Sequence, residues 1–190
     1  MSKVSIVNRA LSMLGANRIT NLSDETPEAA AANTVFDGSL RSILSEACWV
    51  FATKREMLNM LTVKPAFGGG NYFQKPNDCI RIFDVSDRRI RWRVEGNMIL
   101  AESDSFGILY TYPEQNDALY SSSFVEAFAC LLAAEMCFDL TNSASRYQEL
   151  ISLYKGEFLP VAKTENSRSR TPDEVRDDEW RNAVYGWRAG

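Results

Sequence analysis

The stretch from Phe124 to Leu140 constrains this chain more than any other. Fourteen of its seventeen residues are apolar, and the exceptions are Glu126, Glu135 and Asp139. At helical spacing, Phe124, Ala127, Phe128, Leu131, Leu132, Met136, Phe138 and Leu140 leave little polar face. A helix of this kind has to be surrounded by other elements. Its three carboxylates argue against a membrane span. Ser123 and Glu126 form the capping-box pattern that opens such a helix.

Other helices are available to surround it. From Ser2 to Leu14 the apolar residues Val4, Val7, Leu11 and Leu14 keep helical spacing, and Gly15 provides the stop. Thr26 as cap, Pro27 in the first turn and Glu28 near the positive end of the dipole announce a second helix, running to Ala47. A further helix starts near Ser143 and places Tyr147, Leu150, Ile151, Tyr154 and Phe158 on one side. Pro160 is expected to kink or end it.

Between these helices the period falls to two. Trp49, Phe51 and Thr53 begin a strand that runs on toward Leu61. Asp78 to Val85, Arg89 to Val94, Asn97 to Ala101 and Phe106 to Tyr112 read as four more. Ile90, Trp92 and Val94 alternate with arginines, which predicts one buried and one wet face. Glu95-Gly96-Asn97 makes a hairpin turn. Gly68-Gly69-Gly70-Asn71 lacks the Gly-Lys-Ser/Thr ending of a phosphate loop and reads as a flexible connection. The expected fold is mainly α: an antiparallel bundle of about four helices (residues 1–48 and 114–162). A small antiparallel β insertion (49–113) follows helix two, and an extended C-terminal arm (163–190) completes the chain.

Chemistry is limited by what is missing. No histidine occurs, so Ser-His-Asp and Cys-His constellations and HExxH zinc motifs cannot arise within the chain. Cys48, Cys79, Cys130 and Cys137 lack CxxC spacing and are expected to be buried, reduced thiols. No nucleophile has an identifiable base beside it, so neither an enzyme, a cofactor nor a metal is expected. No opening segment has the pattern of a signal peptide, which points to a soluble protein made in a cytoplasm. The net charge of −4 falls within residues 1–162, with 15 basic and 19 acidic side chains. An acidic body does not favour tight DNA binding. Arg88, Arg89, Arg91 and Arg93, with Arg81 nearby, make the chief basic cluster. On a strand, Arg89, Arg91 and Arg93 project from one face, toward phosphates, a neighbouring subunit's carboxylates, or solvent alone.

Residues 163–190 differ in kind. Twelve of these 28 are charged, six of each sign, and Leu, Ile, Met and Phe are absent. So little aliphatic content cannot offset the entropy of ordering. Yet Trp180, Tyr185 and Trp187 are interface-type anchors, with Val184, Arg176 and Arg181 among them. Thr171, Pro172 and Glu174 mark a capped helix start, and Gly186 its stop. An arm with a short helix that folds against a partner is expected; the alternative is a helix docked on its own domain. Asp177-Asp178-Glu179 is no carboxylate dyad, because neighbours on a helix do not share a face.

Four stretches resemble phage head-to-tail adaptor proteins. Tyr72, Pro76, Asp78, Cys79 and Arg81 stand as the aromatic–x–x–x–Pro–x–Asp–Cys–hydrophobic–Arg entry of that family. Arg93 to Leu100 (RVEGNMIL) resembles the hairpin that follows, and Phe124 to Met136 the long inner helix. The N-terminal helix pair ending in Cys48-Trp49-Val50-Phe51 is similar to the tail tubular protein A group of short-tailed phages. The resemblance covers roughly residues 3–165.

It implies a structural virion protein of the head–tail junction, made in the host bacterial cytoplasm. Such proteins form a dodecameric ring between the portal and the tail nozzle and line the DNA exit channel. The implied partners are other copies, the portal protein, the nozzle protein and passing double-stranded DNA, with no membrane. In such proteins a C-terminal extension grips the portal; the tail here matches no motif of the family, so by position and composition alone that role falls to Trp180, Val184, Tyr185, Trp187, Arg176 and Arg181. Like charge on an acidic body would keep DNA from sticking to the channel wall. The alternatives are a monomeric tail-completion or assembly factor, and a DNA-binding module using Arg89, Arg91 and Arg93.

Overall fold

The computed structural model describes residues 2–114 and 116–169. Helix α1 (Lys3–Leu14) opens where the Ser2 hydroxyl accepts the Ser5 N–H, and it closes on Gly15 at φ 71°. Helix α2 (Pro27–Glu46) opens where Thr26 Oγ1 accepts the Ala29 N–H, with proline in the first turn. Both starts follow local capping chemistry. Helix α3 (Ser122–Thr141) is capped by Ser121 instead of Ser123. Its Glu126 does not reach back to the cap but pairs with Arg9 of α1 at 2.9 Å. α3 packs against α1, α2 and α4 (Ala144–Leu153) and is the centre of the helical core. That position satisfies a helix apolar nearly all round.

Pro160 does not end the last helix. α4 runs through one π turn, Tyr154–Phe158, into α5 (Leu159–Arg168). The Leu159 N–H bonds the Tyr154 carbonyl across the wider turn. Pro160 therefore sits in a fresh first turn, where a missing N–H costs nothing. Asn166 ties α5 to the body: its Nδ2 donates to the Cys48 carbonyl at 2.9 Å, and its Oδ1 accepts the Val50 N–H at 2.8 Å. Lys163 pairs with Glu46 at 3.0 Å. Residues 163–168 are the last turns of this docked helix.

The expectation of a mainly helical bundle with one small β insertion is wrong. The protein is a mixed helix-and-sheet fold with two three-stranded antiparallel sheets. One has the order β1 (Thr53–Met57), β6 (Gly107–Thr111), β3 (Arg81–Val85). The other has the order β2 (Asn71–Gln74), β5 (Met98–Ala101), β4 (Trp92–Glu95). Phe73, Ile99 and Ala101 of the second sheet share a core with Ile108 and Tyr110 of the first, closed by Leu58, Cys79 and Phe106. Each sheet covers the other's apolar face, so the β layer has a core separate from the helical one. The sequence reading lacked β2, whose four residues follow the Gly68–Gly70 run directly.

The β layer joins the helices at defined points. Tyr112 N–H bonds the Ala52 carbonyl at 3.1 Å, and Arg81 Nη1 reaches the Ser45 carbonyl at 2.8 Å. Trp49, predicted to open a strand, is fully buried in the helical core and donates its indole N–H to the Ile43 carbonyl at 2.9 Å. A 3₁₀ turn, Val50–Ala52, follows it, and the strand starts only at Thr53.

Candidate interaction surface

The basic cluster surrounds the start of β4, an edge strand. Arg88 and Arg89 lie in the turn before the strand, and Arg91 immediately precedes it. Arg88 grips Asp84 through Nε and Nη2 at 2.9 and 2.7 Å, and Arg89 holds Asp87 in the same fork at 3.0 and 2.8 Å. Arg93 pairs with Glu95. These contacts hold the carboxylates ionised. Asp87 is drawn down to about 2, first by the Arg89 side chain, and Asp84 is lowered chiefly by Arg88. Glu95 is lowered by the Tyr72 hydroxyl at 2.7 Å and then by Arg93. Three of the four arginines thus carry their own counter-charge. Arg91 makes no ion pair among the described residues.

Trp92 and Val94 share a face with Ala101 and Ile99, so their predicted core-facing orientation holds. Their predicted burial does not: Trp92 is 38% and Val94 46% exposed. β4 has a strand on one side only, and its side chains overhang the core. Trp92 touches it through Phe106, with ring centroids 6.1 Å apart.

Phe67, Gly68 and Gly69 form one wall of a groove whose other lining is Arg91, Trp92, Arg93, Leu100 and Glu102. Phe67 is 83% exposed. Gly70 lets the loop lie on β5: at φ 101°, a Cβ there would stand 2.8 Å from the Ala101 carbonyl oxygen. Met57, Met60 and Val63 are exposed along the same excursion of the chain.

The titratable groups elsewhere in the β layer bond to one another between elements. Tyr110 Oη lies 3.0 Å from Glu56 and 3.1 Å from Asp78, and Asp78 accepts from Lys54 Nζ at 2.9 Å. Lys54 stands over the Tyr112 ring, 3.8 Å from its centroid. Burial, then the bond to Glu56, raises Tyr110 well above the ordinary phenol range. Burial pulls Asp78 upward, but its bonds from Lys54 and Tyr110 outweigh that and lower it. The cluster joins β1, β6 and the turn before β3. Among the described residues, no group of three His, Cys, Asp or Glu could hold a metal ion, and no helix is long and apolar enough to cross a membrane. The four cysteines are buried and no disulfide joins them.

Trp180, Val184, Tyr185, Trp187, Arg176 and Arg181, and the helix start at Thr171, lie outside the described residues. Sequence reasoning missed the Asn166 clamp and the exposed Phe67 loop. The glycine run beside an aromatic was the available signal for the loop. No family model matches the chain, and no curated protein matches it.

Proposed function

We propose that this protein is a phage head-to-tail adaptor, a ring-forming structural component between portal and tail nozzle. The observation that carries the reading is that the four resembling stretches contact one another in two pairs. Trp49 and Phe51 stack edge-on against Phe124, with centroids 4.9 and 4.8 Å apart, so the Cys48–Phe51 stretch packs on the start of the inner-helix stretch. The stretch entered by Tyr72 forms β2, which pairs with β5 of the hairpin stretch, and the Tyr72 hydroxyl bonds Glu95 of that hairpin. Each of these stretches thus contacts another of the four, which supports the reading.

The proposed roles follow from position. The body supplies subunit contacts and the wall of the DNA channel, and residues beyond 169, including Trp180, Tyr185 and Trp187, hold the portal. A DNA-binding module is the weaker reading, because Arg88, Arg89 and Arg93 are already paired with carboxylates. The test is electron microscopy of the protein mixed with its portal. Twelve copies in a closed ring at the portal base are expected. A single copy per portal, or no attachment, would overturn the adaptor reading in favour of a completion factor or another role.

A further inference from the structure

The strand edges of the two sheets are guarded unequally. The outer edge of β2 is covered by the 59–61 segment, through Leu61 N–H to the Tyr72 carbonyl at 2.7 Å and Gln74 N–H to the Asn59 carbonyl at 2.9 Å. β3 is broken by a bulge between Ile82 and Asp84. β1 presents the consecutive charges Lys54, Arg55 and Glu56. Cover, bulges and charges are the usual protections of a sheet edge. β4 carries the charges Arg93 and Glu95 on one face, but among the described residues it has neither cover nor bulge, and its other face presents the part-exposed Trp92 and Val94.

We propose that β4 joins two copies of the free protein edge to edge, as antiparallel strands about a two-fold axis. The backbone directions allow it. The Arg91 carbonyl accepts the Glu102 N–H at 3.0 Å, so Arg91, Arg93 and Glu95 turn their backbone groups toward β5. By alternation Trp92 and Val94 turn theirs outward. With the axis at Arg93, Trp92 of each copy lies opposite Val94 of the other, and the pairs exchange four hydrogen bonds. Trp92 and Val94 then cover each other. On the opposite face Arg91, without an ion pair among the described residues, meets the second copy's Glu95, and the exchange occurs twice. The two Arg93 guanidinium groups approach at the axis, but each already holds the Glu95 of its own strand. Like charges there and the short overlap make the dimer weak and salt-sensitive.

This contact goes beyond the adaptor reading. A two-fold contact closes on itself and cannot propagate around a ring. It therefore belongs to the free protein and covers the open edge before assembly.

Sedimentation equilibrium of the full-length protein, from micromolar to millimolar concentration at low salt, tests it. A monomer–dimer equilibrium is expected. Val94→Pro removes an outward N–H without touching a bond to β5, and edge strands tolerate such a proline. It should weaken the dimer at least tenfold and leave the thermal midpoint unchanged. Glu95→Arg should weaken it similarly, and adding Arg91→Glu should restore it. A monomer at every concentration, a dimer untouched by Val94→Pro, or failure of the charge swap to restore it overturns the proposal. None of these results depends on whether a ring forms at the portal.

Discussion

Two glycines show how differently single positions are constrained. Gly70 combines a left-handed φ with a carbonyl oxygen 2.8 Å from where a Cβ would be, whereas a Cβ on Gly38 of α2 would meet nothing within 4 Å. Gly70→Ala should therefore cost about 1–3 kcal/mol, and Gly38→Ala should add up to about 1 kcal/mol through helix propensity. Paired denaturant titrations read both, and equal effects would mean that the Phe67 loop does not lie on β5. Tyr110 sets a limit at high pH. Its folded-state pKa is raised, so its contribution is complete below the ordinary phenol value near 10 and is lost as pH rises above it. Tyr112, pushed up to about 12 by its bond to Glu114 and then by burial, acts in the same direction. Alkaline unfolding should begin above about pH 10, with phenolate absorbance and far-UV signal changing together. Phenolate formation at Tyr110 in a still-folded protein would contradict the Glu56–Tyr110–Asp78 cluster.

At the scale of elements, α3 is the structural centre, and Leu132 within it is fully buried. Leu132→Asp places an unpaired charge there at a cost of several kcal/mol, so soluble expression should fail. A normal yield with an unchanged thermal midpoint would put the core elsewhere. The burial of α3 was legible because it is written in one continuous stretch. So were the starts of α1 and α2, where Ser2 and Thr26 act on residues three positions away. What the sequence hid depends on distant partners. β2 is a strand because Met98 to Ala101 pair with it. The alternation at Trp92 and Val94 showed their face, but their exposure follows from β4 having no second neighbour. The π turn before Pro160 shifts a helix register, which no composition signals. Asn166 looks like any polar helix residue until Cys48 and Val50 are beside it. Of the interaction surface, the arginines were legible as a cluster, and the carboxylates that occupy them were only partly so: Asp87, Arg89, Arg93 and Glu95 are sequence neighbours, yet their pairing needed the turn and strand geometry.

For the whole molecule, α5 runs on past Lys163 to Arg168 and is tied to the body by Asn166. Two truncations test that tie. A chain ending after residue 169 keeps Asn166 and Lys163 and should melt as the full-length protein does. A chain ending after residue 163 loses both Asn166 hydrogen bonds, leaving the Val50 N–H and Cys48 carbonyl without their partner. At roughly 0.5–1.5 kcal/mol for each hydrogen bond lost, its thermal midpoint should fall by several degrees. On the adaptor reading, the chain ending after residue 169 should be folded yet unable to join the portal. Trp180→Ala with Trp187→Ala in the full-length chain should reproduce most of that loss, since interface aromatic anchors often carry about 2 kcal/mol or more each. Reversing charges in the same region should cost less, and the loss should shrink at high salt. Attachment by the chain ending at 169 with unchanged affinity would move the grip onto the body, where the Phe67 loop and the β4 edge would be its first candidates. Unfolding of that same chain would instead mean that the segment beyond 169 belongs to the body's own core.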